Sequence, residues 1–294
     1  MKTILVTGAS GSVGRHILPR LVSQGYNVHA LERGAKNRVA HHPAINWQSG
    51  NLLNGDIEEL LAKLKPTHCL HLAWVSTEHA TFWTSPENWD WVEATSRLCR
   101  AFYACGGHRF VGVGTCAEYE WKNECLSELT TAMKPASLYG QAKYQAFKEI
   151  SHYAEKNACS YVWARLFYLI TPDEPARKFI PTVIQKILMG QSSIYCANHQ
   201  YDFIRIDDVV AALCKLLDSA DCGPVNIATG KAHSLKEVAE ALILLLKPSV
   251  DIQVEVQAKA QEDSQKVWGD INRLYAMVGF KAEDRLLKLL ETVI

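Results

Sequence analysis

Apolar residues along this chain follow two rhythms. Short continuous runs alternate with longer stretches in which apolar positions recur every three or four residues, the pattern of a parallel sheet covered by helices on both faces. Ile4–Thr7 reads as a first strand, Val13–Gln24 as a helix, and Asn27–Leu31 as a second strand ending at Glu32. Ile45–Gln48 reads as a weaker strand, and Ile57–Leu64 as a helix closed by Pro66. His68–Leu72 and Phe110–Val113 continue the strands, flanking a helix near Glu87–Cys105. Leu138–Glu155 follows as a long helix and Tyr161–Leu166 as a strand.

Past residue 170 the rhythm loosens. Thr171–Pro181 reads as a loop rich in proline and charge, followed by a helix near Thr182–Met189 and a short run at Ser193–Cys196. Two more helices are expected, near Asp207–Leu217 and over Ser234–Leu246, the latter opened by a capping box of Ser234 and Glu237.

Composition narrows the classes. Apolar residues make up 48 % and charged residues 21 %, an ordinary globular balance. Lys+Arg and Asp+Glu both number 31, so bulk charge draws the chain to neither nucleic acid nor an anionic membrane. The opening MKTILVTGAS breaks its apolar run at Thr7-Gly8, and no run reaches the length of a membrane span, so a cytoplasmic protein is expected. Nine scattered cysteines with no C-x-x-C pair read as reduced thiols. His68 with His71, or His41 with His42, lack a third ligand at a suitable spacing, so no metal is expected.

The chemistry begins at Thr7-Gly8-Ala9-Ser10-Gly11-Ser12-Val13-Gly14, directly after one strand and directly before one helix. Glycines there permit a tight turn and bring the backbone close to a pyrophosphate, while the helix start offers free N–H groups. The reading is a dinucleotide site at the head of a Rossmann-type, doubly wound α/β sheet with a smaller C-terminal substrate lobe. Residues 1–168 with about 202–230 would form the sheet domain, and 169–201 with 231–294 the substrate lobe. Glu32, at the end of the second strand, suits the ribose hydroxyls of NAD, whereas Arg33, Lys36 and Arg38 suit the 2′-phosphate of NADP. The choice stays open.

Tyr139 and Lys143, four apart near the start of the long helix, share one helical face. An ammonium beside a phenol lowers its pKa and prepares it for proton transfer.

With these residues in place the chain resembles the extended short-chain dehydrogenase/reductases, the NAD-dependent epimerase/dehydratase family. The likeness is carried by T-G-x-x-G-x-x-G at Thr7–Gly14, His71-Leu72-Ala73, the Tyr139/Lys143 pair, Arg165-Leu166-Phe167, Phe179-Ile180-Pro181, Asp202–Val209, and Trp268–Ile271 running on to Val278–Phe280. The resemblance implies Thr115 as the hydroxyl that holds the substrate oxygen, with Tyr139 as acid/base and Lys143 tuning it. It places Leu72, Ala73 and Trp74 along the dinucleotide, and Asn51 and Leu52 beside the adenine. It also implies a homodimer paired through the helices near Glu87–Cys105 and Leu138–Glu155.

Family members that dehydrate a sugar nucleotide carry an Asp-Glu pair after the Ser/Thr, and here Cys116 and Ala117 stand there. Glu118, one place on, would point the other way along an extended segment. The cysteine used in epimerisation beside a ketone is replaced by Ala117. What remains is reduction of a nucleotide-linked keto sugar, at C4, with 4-epimerisation as the alternative and a non-catalytic dinucleotide sensor as a third reading. Tyr168 and Tyr201 stand where the resemblance implies an asparagine and an arginine that hold the substrate diphosphate, and no arginine occupies Gln261–Asp263. Arg177, Lys178 and Lys266 are the substitutes in reach, or plain surface charges. The aromatic cluster Trp74, Phe82, Trp83, Trp89 and Trp91 reads equally as a stacking surface or as loop packing.

Overall fold

The computed structural model describes residues 2–33, 42–75, 80–257 and 264–294. Lys36, Arg38, His41 and Gln261–Asp263 lie outside them. The first half runs β1 (Thr3–Thr7), α1 (Ser12–Ser23), β2 (Asn27–Glu32), β3 (Ile45–Ser49), α2 (Ile57–Leu64), β4 (His68–His71), α3 (Glu87–Ala104), β5 (Arg109–Thr115), β6 (Cys125–Leu126), α4 (Leu138–Lys156), β7 (Ser160–Leu166) and β8 (Tyr168–Ile170). The second runs α5 (Phe179–Leu188), β9 (Ser193–Cys196), β10 (His199–Arg205), α6 (Ile206–Asp218), β11 (Gly223–Ile227), β12 (Ala232–Ser234), α7 (Leu235–Leu246), β13 (Gln253–Val256), β14 (Gln265–Gly269), α8 (Asn272–Val278) and α9 (Leu286–Leu290).

Seven strands form one parallel sheet in the order β11-β7-β5-β4-β1-β2-β3. The fold is therefore the doubly wound α/β arrangement. Alternation within the strands divides two cores: Ile4, Val6, Val28 and Ala30 face α1 and α6, while Leu5 and Leu31 face α2, α3 and α4. Each fully buried aliphatic side chain contributes about 1.5–3 kcal/mol, which is why both faces must be covered. The chain steps outward from β1 to β3 and then returns to β4 on the other side of β1. That reversal opens a crevice at the carboxyl ends of β1 and β4, where such sheets bind ligands.

A second sheet, β12-β10-β14-β6 with β8 alongside β10, joins α5, α7 and α9 around a separate core of Ile180, Val183, Phe203, Val238, Leu242 and Leu289. Asp202 ties the two sheets together. Its buried carboxylate accepts from Thr229 N (2.8 Å), Thr229 Oγ1 (2.6 Å), Gly230 N (2.9 Å) and Gly269 N (3.2 Å).

Two local expectations differ from the structure. The loop expected through Pro181 ends at Phe179, because the first turn of a helix has no use for the N–H that proline lacks. Cys116–Glu118 forms a 3-10 turn where an extended segment was expected. No helix among the described residues is long and apolar enough to cross a membrane.

Candidate active site

The glycine loop leaves β1 through Gly8 at φ +65, and a Cβ there would lie 2.7 Å from Ala73 N. Gly11 N donates to Gly8 O at 3.0 Å, and a Cβ on Gly14 would drive into the carbonyls of Gly8 and Ala9. Only glycine lets the loop fold back this tightly against the start of α1. That helix starts at Gly11 with no side-chain cap and no acidic residue in its first turn. Ser10, Ser12 and Val13 lie along the same rim, and the Ser12 Oγ is buried with no hydrogen-bond partner. Uncapped N–H groups, an unspent hydroxyl and a cradle with no room for side chains fit a pyrophosphate.

The other expected dinucleotide residues fall along neighbouring strand ends. Glu32 closes β2 and is 4 % exposed, while Arg33 beside it is exposed. Past β3, Asn51 Oδ1 accepts from Leu53 N at 3.1 Å in a turn that buries Leu52. Past β4, Leu72 N donates to Thr7 O (3.2 Å) and Ala73 N to Thr7 Oγ1 (3.3 Å), so this segment is laced directly to the root of the glycine loop. His71 braces the same place, with Nδ1 2.7 Å from Thr7 Oγ1 and Nε2 2.9 Å from Thr95 Oγ1. Burial, and secondarily Lys143, push its pKa down to about 3, so it is a neutral strut. Among the described residues no group of three or more His, Cys, Asp or Glu is placed to hold a metal.

Thr115 ends β5, and Tyr139 stands on the first turn of α4, whose N-cap Ser137 accepts from Gly140 N at 3.0 Å. A Cβ on Gly140 would collide with Ala117 O, so the helix start sits directly on the 3-10 turn. That approach brings Thr115 and Tyr139 into a side-chain hydrogen bond. Lys143, one turn on and 4 % exposed, donates to Val113 O at 2.8 Å and rests 3.9 Å from the centre of the Trp74 ring. Burial pulls its pKa from 10.5 down to about 7. Tyr139 goes the opposite way: burial raises its pKa, and the Thr115 hydrogen bond offsets only part of that. The lowering expected from the ammonium is not found, because Lys143 is turned toward Val113 O and Trp74. The phenol is held neutral, as a proton donor.

Glu118 is fully buried beneath the site, where Oε1 accepts from Thr115 N (2.9 Å) and Trp163 Nε1 (2.9 Å) and Oε2 from Arg165 Nε (2.7 Å). Arg165 also donates to the Tyr119 hydroxyl at 3.0 Å, and Tyr119 to Asn226 Oδ1 at 2.7 Å. This network escaped sequence reasoning. Its signal was present as the T-x-x-E pattern of a capping box at Thr115–Glu118. Cys116 beside it is buried, which pushes its thiol pKa up and keeps it protonated.

The aromatic cluster divides. Trp91 is core and Trp89 is exposed. Phe82 and Trp83 meet the Tyr139 ring edge-on, with centroids at 5.2 and 5.4 Å. On β8 and β10, Tyr168 and Tyr201 stack on each other at 3.9 Å. Lys178 pairs with Glu174 at 3.1 Å, and Lys266 lies over Trp268 at 4.5 Å.

Comparison with known proteins agrees with this geometry. A CDP-abequose synthase of Salmonella typhimurium is 27 % identical over 277 residues, covering 92 % of this chain and 89 % of its own. A UDP-glucose 4-epimerase of Rhizobium leguminosarum bv. trifolii is 26 % identical over 271 residues, covering 82 % and 81 %. Among solved structures, MoeE5 in complex with UDP-glucuronic acid and NAD superposes with a TM-score of 0.83 at 25 % identity, over 99 % of this chain and 97 % of that one. The profile of the NAD dependent epimerase/dehydratase family matches residues 4–228. The chain is an enzyme of the NAD dependent epimerase/dehydratase family, working with NAD or NADP.

Proposed function

We propose that the enzyme reduces a keto group, at C4, of a nucleotide-linked sugar. The observation that carries this reading is the pairing of Thr115 with a neutral Tyr139 where β5 ends and α4 begins, beside a Glu118 wholly committed to Arg165, Trp163 and Thr115 N. One proton donor therefore faces the substrate, and the nearby carboxylate that a dehydratase would need is spent. The family's dinucleotide, when bound, exchanges a hydride with the carbon that carries the oxygen. Tyr139 gives its phenolic proton to that oxygen, and Thr115 Oγ1 holds the oxygen in line. Lys143, released from Val113 O, offers hydrogen bonds to a ribose and a positive charge near the phenolate that remains. Gly8, Ser10, Gly11, Ser12, Val13 and Gly14 would cradle the pyrophosphate, Glu32 or Arg33 would meet the adenosine ribose, and Asn51, Leu52, Leu72, Ala73 and Trp74 would line the rest. A nucleotide-sugar substrate is supported by the ligand of MoeE5 and by the names of both relatives.

The second reading is 4-epimerisation, favoured by the epimerase relative of similar length. Cofactor behaviour separates the two. NAD that co-purifies and never needs replenishing supports the epimerase, whereas stoichiometric consumption of added NADH or NADPH supports the reductase. In either case Tyr139→Phe is expected to lower turnover by about 10²–10⁴-fold with dinucleotide binding retained. Near-normal turnover in that variant would sink both readings. The same reading carries a cytoplasmic homodimer paired through α3 and α4, checked by light scattering of the purified protein.

A further inference from the structure

One helix, α3, holds three of the loops that follow the sheet's strands. Its fully buried Asn88 accepts from Trp74 Nε1 at 2.8 Å, and its fully buried Thr95 meets His71 Nε2, whose ring reaches Thr7 through Nδ1. Those contacts fix the segments leaving β4 and β1. The third comes from Arg97, half-buried on the same helix, and it reaches the turn after β3. Arg97 Nη2 donates to Leu52 O at 2.6 Å and to Gly55 O at 3.2 Å, so a single nitrogen clasps two carbonyls of that turn.

The turn does not need Arg97 for its shape. Gly55 N donates to Asn51 O at 2.6 Å and Leu53 N to Asn51 Oδ1 at 3.1 Å, and a Cβ on Gly55 would lie 2.4 Å from Asn51 O. These local bonds close the chain on itself. They leave open where the closed turn sits. Gly50 N, donating to Glu32 O at 2.9 Å, ties one side of it to the end of β2, and Arg97 ties the other to α3. Glu58 stands 3.8 Å from Arg97 Nε, beyond hydrogen-bond range, so the two carbonyls are what orient the guanidinium. Groups that meet a ligand keep their geometry only as well as the bonds behind them do.

The dinucleotide placement proposed above sets Glu32 or Arg33 at the adenosine ribose, with Asn51 and Leu52 among the lining residues. Resting on that placement, we infer that Arg97 is the positioning residue for the adenosine end of the dinucleotide. It acts through the Asn51–Gly55 turn, held beside the end of β2, and touches no ligand itself.

Calorimetric titration with ADP-ribose and its 2′-phosphorylated form, the adenosine halves of NAD and NADP, tests this without turnover. In Arg97→Met, whichever form the wild type binds better should bind about tenfold more weakly, because the surface must then be ordered at the moment of binding. Since one nitrogen makes both bonds, the ammonium of Arg97→Lys can replace it and should recover most of the affinity. Glu58→Gln leaves both carbonyl bonds in place and should bind as the wild type does. Wild-type affinity in Arg97→Met, or a loss that Arg97→Lys does not recover, would overturn the inference while leaving the dinucleotide placement standing. So would a fall of more than about 10 °C in the melting temperature of unliganded Arg97→Met, which would make Arg97 part of the scaffold. Failure of both ligands to bind the wild type would overturn the placement and the inference with it.

Discussion

Two cations are buried in this enzyme, and the protein treats them oppositely. Arg165 has a carboxylate at 2.7 Å and a phenol at 3.0 Å, and these partners raise its pKa despite burial. Lys143 rests on a carbonyl oxygen and a tryptophan face, and its pKa falls to about 7. A buried charge bonded to its counter-ion is committed to the fold, whereas one bonded to a carbonyl and a ring, with Glu118 acting on it only through space, is available to something that arrives later. The difference separates scaffold from machinery where residue type alone does not.

The largest effect should come from stripping Arg165 of its partner. Glu118→Gln leaves a guanidinium buried without its counter-charge, and a loss of about 3–5 kcal/mol in unfolding free energy is expected from urea denaturation. Lys143→Met makes the reverse test. Turnover should fall by about 10²-fold or more, while stability at pH 6 should hold or rise, because a buried charge whose burial outweighs its attraction to Glu118 has been removed. The same variant should also change the pH dependence of stability. In the wild type the unfolded chain holds more protons than the folded one between about 7 and 10.5, so Lys143 makes stability rise with pH across that window. Thermal melting of Lys143→Met should lack this rise, and identical slopes in the two proteins would contradict the assignment. The smallest effect is expected from Trp74→Leu. Removing the ring face forfeits about 0.5–1 kcal/mol of support for the charged lysine. The limb of the kcat/KM profile that reports Lys143 should then move down by less than about one pH unit.

Much of this was legible in the sequence where local rules act alone. The glycine loop, the strands from β1 to β5, and the Tyr139/Lys143 spacing all come from short-range pattern, and the structure has them at one end of one sheet. The second lobe was harder to read, because β6, β8 and β12 span two or three residues each and take their identity from pairing with distant strands. The turn at Cys116–Glu118 was missed because an extended reading overlooked the capping box. The raised pKa of Tyr139 depends on which way Lys143 turns, a tertiary fact that no spacing contains. Equally hidden was the buried Asn88 amide, which donates to Phe82 O and Ser85 O and accepts from Trp74 Nε1, since these partners are brought together only by packing.

The bare start of α1 has a consequence for how the protein survives in a cell. A helix whose first turn is completed by a bound anion makes folding answer to metabolite supply: on the placement proposed above, dinucleotide at a hundred times its Kd would add about 2.7 kcal/mol to stability. Shortage of the cofactor would then act twice, slowing the chemistry and raising the fraction of molecules open to proteases. The abundance of this enzyme would follow the redox economy it serves.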